Sequence, residues 1–295
     1  MELPVVDIVL VHWNQADRCL TAVERYAGQD VPVRLTVVDN DSRPEEIALL
    51  REGLARRAGE FDRAPMLLEQ RSNLGWGPGL NVGLRRWLDD PEGSEWCGVA
   101  PHDALVADGC LRRIVEEGAR RPESGLISAD VGDGMTTVID RAFGPVIVPA
   151  RVASGWEPMD YPHGTLFLAR RACLDEIGLF DERYFAYCEE ADLGERARRA
   201  GWEVGIVRGA DVRNPVTSGR IALVDYLEER NTLLLVRDNF GRWPAFVRLS
   251  LGLWMVARGW RRPDRRRDIY DARARLRAMA DHLRGRYGPP PDDLR

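Results

Sequence analysis

Glu189, Glu190 and Asp192 stand within four residues of one another, directly after an aromatic run containing Tyr184, Phe185 and Tyr187. They open an arginine-rich helical pattern in FDERYFAYCEEADLGERARRAG, residues 180–201. Carboxylates in the first turn of a helix suit its dipole, and the cluster can be no more than a solvated helix start. In a pocket walled by aromatic rings the same groups can supply a general base, because desolvation raises a carboxyl toward neutral pH.

Four further polar clusters could meet a ligand. His12 and Asn14 follow the apolar run VVDIVLV. Asp39-Asn40-Asp41-Ser42 follows a second apolar run; an acid there can accept from a ribose or base, or close an Asx turn. Arg71 precedes the loop NLGWGPGLNVG, residues 73–83. There Gly75 and Gly79 allow close backbone approach, and the helix that follows offers its N-terminus to phosphate. His102 and Asp103 close a fourth apolar segment.

Short β-rich runs at residues 5–11, 34–38, 66–69 and 96–100 alternate with helical patterns at 17–29, 44–58 and 79–87. That alternation predicts an α/β fold with a mostly parallel, Rossmann-like sheet flanked by helices. Ligands bind such sheets at the carboxyl ends of the strands, where all four clusters fall. A strand is expected at 164–168 and a helix at 171–177. Helices are expected at 222–240, 243–260 and within 263–287, with a disordered tail from 288. The predicted division is a catalytic domain over 1–218 and a C-terminal helical extension over 219–295.

All 42 basic residues are arginine. Without lysine there is no Walker A phosphate loop, no pyridoxal Schiff base and no kinase-type phosphate lysine. The glycine-rich loop follows the third strand, whereas a dinucleotide fold carries it after the first, which disfavours a nicotinamide dehydrogenase. A net charge of −5 argues against nucleic acid as a partner. Five scattered cysteines without a CxxC pair fit reduced thiols. With no secretion signal and no long apolar span, the expected location is cytoplasmic.

VVDNDS, NLGWGPGLNVG, the 180–201 stretch and Arg230-Asn231, in that order and spacing, resemble the family 2 glycosyltransferases, in particular their rhamnosyl- and galactofuranosyltransferase-like branch. The resemblance covers roughly residues 5–240. It implies a GT-A fold, a nucleoside-diphosphate sugar donor and inversion at the anomeric carbon. Glu190 would be the general base, with Glu189 the second choice. Asp39 would contact the nucleobase with Asp41 nearby, and His12 and Asn14 would line the nucleoside pocket. Arg71, Gly75 and Gly79 would sit near ribose and diphosphate. Asp192 would bind acceptor hydroxyls or orient its helix; His163 and Trp156 are further acceptor-side candidates.

The family's cation motif is altered. Pro101-His102-Asp103 stands where a DxD-like motif is usual, and Asn214 stands where a histidine is usual. Asp103 with His102 can hold Mn²⁺ or Mg²⁺, imidazole suiting Mn²⁺ better. Arg71, Arg213 and Arg220 can instead carry the diphosphate charge. A third reading is a nucleotide-sugar-binding protein that catalyses weakly. The acceptor is open among a glycan, a lipid-linked glycan and a small molecule. FVRLSLGLWMVARGW, residues 246–260, followed by Arg261 and Arg262, admits a peripheral membrane contact, a homodimer or simple packing on the catalytic domain.

Overall fold

The computed structural model describes residues 4–214, 220–266 and 268–294. The chain begins with β1 (Val6–His12), α1 (Ala16–Ala27), β2 (Val33–Asp39), α2 (Pro44–Arg56), β3 (Arg63–Glu69), α3 (Trp76–Asp89) and β4 (Trp96–Pro101). There follow β5 (Leu105–Val106), α4 (Cys110–Arg120), β6 (Ser124–Asp130), β7 (Met135–Asp140), β8 (Gly144–Pro149) and β9 (Gly155–Pro158). Next come β10 (Phe167–Arg170), α5 (Arg171–Ile177), α6 (Glu189–Arg199) and β11 (Glu203–Arg213). Three helices close the chain: α7 (Ile221–Phe240), α8 (Arg242–Arg261) and α9 (Ala272–Leu283).

Nine described strands form one sheet in the order β3-β2-β1-β4-β10-β6-β11-β5, with β9 also paired to β11. The first four are mutually parallel, as their alternation with helices predicts. The other half is mixed: β10 runs antiparallel to both β4 and β6, while β6 and β11 are parallel. Both faces of the sheet are covered. Ile8 and Leu10 point into a core shared with α1, α2 and α4, while Val9 and Val11 point into a core shared with α3, α5 and α6. This period-two division explains why β1 reads as a continuous apolar run. Each fully buried Ile, Leu or Val contributes about 1.5–3 kcal/mol.

Several boundaries differ from expectation. The strand expected at 164–168 pairs only from Phe167, because the preceding residues form a turn in which Thr165 N–H donates to His163 Nδ1 at 3.3 Å. Within 263–287 the long helix is α9 alone, which Asp271 caps by accepting from the N–H groups of Arg273 and Ala274. The domain boundary expected at 218/219 falls on residues 215–219, outside the described residues.

The tail was expected to be disordered but is packed. Gly288 N–H donates to the Arg183 carbonyl at 2.8 Å, and its own carbonyl accepts from Arg230 Nη2 at 2.8 Å. Arg230 is 1 % exposed, and a buried guanidinium needs acceptors that this segment supplies. His282, unremarkable in sequence, is also buried, with Nδ1 3.0 Å from the Tyr287 hydroxyl. Burial pushes its imidazole down to about 4, so it stays neutral at physiological pH.

Candidate active site

The acid cluster sits where α6 begins, in a backbone bend that ordinary residues disfavour. Tyr187 and Cys188 take successive positive φ angles of 71° and 72°, so strain is concentrated just before the carboxylates. Asn231 of α7 holds this bend: its Nδ2 donates to the carbonyls of Ala186 and Tyr187 at 2.7 and 2.9 Å. On the other side, Trp76 N–H donates to the Phe185 carbonyl at 2.7 Å. Gly75, at φ +96°, is required there, because a Cβ would stand 2.1 Å from the Phe185 oxygen. The close approach that this glycine permits is to the acid loop itself.

Glu189 is 2 % exposed and its Oε2 has no hydrogen-bond partner. Burial, and then the neighbouring Glu190, push its carboxyl well above the ordinary range. Glu190 is half-buried, and burial pushes it up to about 7 against the pull of its own backbone N–H. Two adjacent carboxyls thus share one desolvated corner, and burial raises both above the ordinary carboxylate range.

Both acids line a cleft of about 820 Å³. Its lining includes Tyr161, His163 and Gly164, together with Phe143, Pro145, Val146 and Ile147 around the start of β8. Glu229 and Thr232 of α7, Arg248 of α8 and Arg275 of α9 also line it. Arg248 grips Glu229 with two bonds of 3.0 and 2.7 Å, and Arg275 pairs with Asp225 at 2.6 Å, so both guanidiniums are charge-balanced. His163 joins the acids as anticipated; burial holds its imidazole below the usual range, and Nδ1 accepts from Thr165 N–H, leaving Nε2 to carry the proton. The contributions of Phe143, Thr232 and the α8 and α9 arginines were not legible in sequence, because they reach the cleft only through tertiary packing.

The second constellation lies at the carboxyl ends of β1, β2 and β4. Strand register sets His12 opposite Asp39 and Val11 opposite Pro101. His12 and Asp39 are fully buried and meet at 2.8 Å. Gln15 N–H donates to His12 Nε2 at 3.2 Å, so His12 donates from Nδ1 to Asp39 Oδ1. Asp39 Oδ2 accepts from Ser42 N–H at 3.0 Å. Burial works against ionising Asp39, yet these hydrogen bonds hold its carboxyl below the ordinary range. Ser42 Oγ accepts from Asn14 N–H, and Asn14 Oδ1 accepts from Arg43 N–H. Asn14 and Asp41 both hold positive φ, at 52° and 64°. Asp41 and Trp13 are exposed beside this knot, and Trp13 and Gln15 are residues that motif reading passed over. Gly79 packs on Asn40, whose Nδ2 donates to the Gly75 carbonyl at 2.7 Å, so the glycine-rich loop is tied to the end of β2. Arg71 is exposed beside it.

Two acceptor-side candidates do not reach the cleft. Trp156 lies under Gly205 and beneath the Arg121 guanidinium, 4.8 Å from its ring centre, and borders a separate cavity of about 360 Å³. Asp192 is 6 % exposed and accepts from Arg196 Nε at 2.8 Å, while Arg196 also donates to the carbonyls of Ile177 and Leu179. Of its two anticipated roles, orienting the helix is the one this geometry fits.

Asp103 is 8 % exposed at the end of β4, and Arg213 stands opposite Leu105, two residues further on. His102 Nδ1 donates to the Val11 carbonyl at 3.1 Å, and Nε2 lies 3.4 Å from Gln15 Oε1. Its ring also meets His12 edge-on at 5.2 Å. Among the described residues no group of three or more His, Cys, Asp or Glu gathers as a ready cation site.

The chain is similar in sequence and in fold to known sugar-transferring proteins. An N-acetylglucosaminyl-diphospho-decaprenol L-rhamnosyltransferase of Mycobacterium tuberculosis is 26 % identical over 244 residues, 71 % of this chain and 75 % of that protein. The mannosyltransferase PcManGT of Pyrobaculum calidifontis, solved with GDP-Man and Mn²⁺, superposes with a TM-score of 0.61 over 97 % of this chain and 75 % of its own, at 16 % identity. The chain has the GT-A fold and is similar to family 2-like glycosyltransferases.

GalNAc-T7, solved with UDP, GalNAc and Mn²⁺, shares the fold at a TM-score of 0.60 over 80 % of this chain and 48 % of that one, at 13 % identity. No protein-family profile matches the chain. This glycosyltransferase transfers sugar from a nucleotide-sugar donor, and α7–α9 follow its GT-A sheet as C-terminal helices. No described helix is long and apolar enough to cross a membrane.

Proposed function

We propose that this glycosyltransferase inverts its donor sugar by a single displacement, with Glu190 as the general base. The observation that carries the reading is Glu190 itself: half-buried in the cleft, raised to about 7, beside the buried Glu189. Such a base is deprotonated at physiological pH and still basic enough to take a proton in the transition state. Glu190 removes the acceptor hydroxyl proton as that oxygen bonds to the anomeric carbon. The bond to the nucleoside diphosphate breaks, and its electron pair leaves with the diphosphate. Glu189, buried and without a partner for Oε2, is too enclosed to meet an acceptor.

The donor lies across the strand ends, its nucleoside against Asn14, Asp41 and Trp13, its diphosphate toward Asp103 and the α3 N-terminus. Asp39 acts there by fixing His12 and the Ser42 turn. A divalent cation fits this end in part: Asp103 offers a carboxylate oxygen, and His102 offers Nε2 if it turns from Gln15. Bound there, Mn²⁺ or Mg²⁺ would offset the charge of the leaving diphosphate. Arg71, Arg213 and Arg220 are the protein's own cations for the same charge.

The acceptor enters between His163 and the Phe143–Ile147 wall. The apolar character of that wall and the lipid-linked acceptor named in the mycobacterial relative favour a lipid-linked glycan over a free small molecule.

Thermal-shift titration with UDP, dTDP, GDP and NADH, each with Mn²⁺, Mg²⁺ or EDTA, tests the donor site. Selective stabilisation by one nucleoside diphosphate is expected, because a ligand of the native state alone raises its stability. A response to NADH alone overturns the reading. Glu190→Gln should bind that diphosphate normally and lose donor-dependent turnover; retained turnover removes Glu190 as base.

A further inference from the structure

Helix α8 divides cleanly along its length. Ala245, Arg248, Gly252, Val256 and Gly259 are buried against α7 and α9, a seam at three- and four-residue spacing. Gly252 and Gly259 allow close contact, since a Cβ at either would stand within 2.5 Å of Met279 or Tyr270. The opposite side is apolar and exposed: Trp243 at 73 %, Phe246 at 58 %, Leu253 at 49 %, Trp254 at 56 % and Trp260 at 61 %. Among the described residues these five make the densest group of exposed large apolar side chains. A single surface tryptophan means little, but an aligned row on one helix implies a partner.

Charge decides which partner. From Arg242 to Arg261 there is no acidic residue, and four arginines are present. Arg248 is spent inside, on Glu229. Arg258 lies over the Trp254 ring at 5.3 Å, and Arg261, Arg262, Arg265 and Arg266 extend the basic end in exposed positions. Tryptophan beside arginine, with no acid on the helix, suits the headgroup region of an anionic bilayer: the rings enter the acyl boundary and the guanidiniums meet lipid phosphates. A second protein surface that matched this row would need both a long apolar groove and a dense acidic rim. This chain is acidic overall, but the large apolar groups on its described surface gather on α8 itself.

We propose that α8 is a peripheral membrane-docking helix that lies flat on an anionic phospholipid surface. The buried side of the same helix carries Arg248 into the lining of the cleft, so docking would set the cleft at a fixed distance from the lipid. The proposal rests on α8 alone and holds whichever acceptor is used.

Co-sedimentation of the full chain with phosphatidylcholine vesicles, with and without phosphatidylglycerol, tests it. Binding is expected only to the anionic vesicles and should weaken as salt rises. The triple variant Trp243→Ser, Trp254→Ser, Trp260→Ser should lose binding by about tenfold or more, while keeping its thermal shift with the nucleoside diphosphate. That retained shift separates a lost membrane contact from a misfolded chain and from failure of the donor-site reading. Absence of binding, equal binding to neutral vesicles, or binding untouched by the triple variant overturns the proposal. So does a dimer in light scattering that the triple variant dissociates, which would mean that a second copy covers the row.

Discussion

A methyl group on Gly164 would stand 2.2 Å from Glu190 Oε1. The strand-end turn and the first turn of α6 are therefore spaced to leave the carboxylate one position. The nearest atom is the tip of a side chain, so Gly164→Ala should displace the carboxylate and not the backbone. We expect kcat to fall about 10–100-fold with stability changed by under about 1 kcal/mol, because a misplaced base forfeits orientation and little else. Steady-state kinetics and a melting curve on one preparation check both halves.

The rate should rise with pH through about 7, following ionisation of Glu190. Glu190→Gln should flatten that limb and lower kcat by ~10²–10⁴-fold. Stability should move the other way. A carboxyl whose folded value lies above its ordinary 4.5 binds its proton more tightly when folded, so stability is full below about pH 4 and is lost as pH rises to about 7. Removing the charge should therefore stabilise the variant by roughly 2 kcal/mol near pH 8, with the difference vanishing in acid. Denaturant melts at both pH values read this directly.

Asn231→Ala leaves the carbonyls of Ala186 and Tyr187 without their donor. A loss of about 1–3 kcal/mol is expected. The strained bend should then relax and admit water to the acid corner, so the pH midpoint of the residual activity should fall toward the ordinary carboxylate range. A purely structural defect would lower the amount of active protein and leave the midpoint in place.

Asp103→Asn tests the cation. If Asp103 supplies a metal oxygen, the thermal shift produced by the nucleoside diphosphate should lose its dependence on Mn²⁺, with apparent Mn²⁺ affinity weakened about tenfold or more. A shift that is insensitive to EDTA in the parent chain and lost in Arg213→Ala or Arg71→Ala would assign the diphosphate to arginine instead.

The parallel half of the sheet was legible because β1, β2 and β4 are apolar runs bounded by polar turns, and their periodicity reports local backbone choice. The mixed half was less so. β10 is four residues long, and its direction depends on which neighbours it pairs with, which no local pattern encodes. The acid pair was visible as a motif, yet its chemistry was ambiguous between a solvated helix start and a buried base. Trp156 and Asp192 illustrate the converse: aromatic and acidic types fit an acceptor site, but Arg121 and Arg196 engage them elsewhere.

Sequence by itself determined the class of fold, the order of the strand-end clusters and the residues at which a sugar-transfer site would be sought, since each depends on residue type and short spacing. Tertiary structure alone decided that both carboxyls are raised above their ordinary range. That outcome requires Glu189 and Glu190 to be desolvated together, under a bend held by Asn231 and against Gly164, residues 42 positions later in the chain and 25 earlier than Glu189. Burial and proximity, which set ionisation, are properties of the packed chain and not of any segment within it.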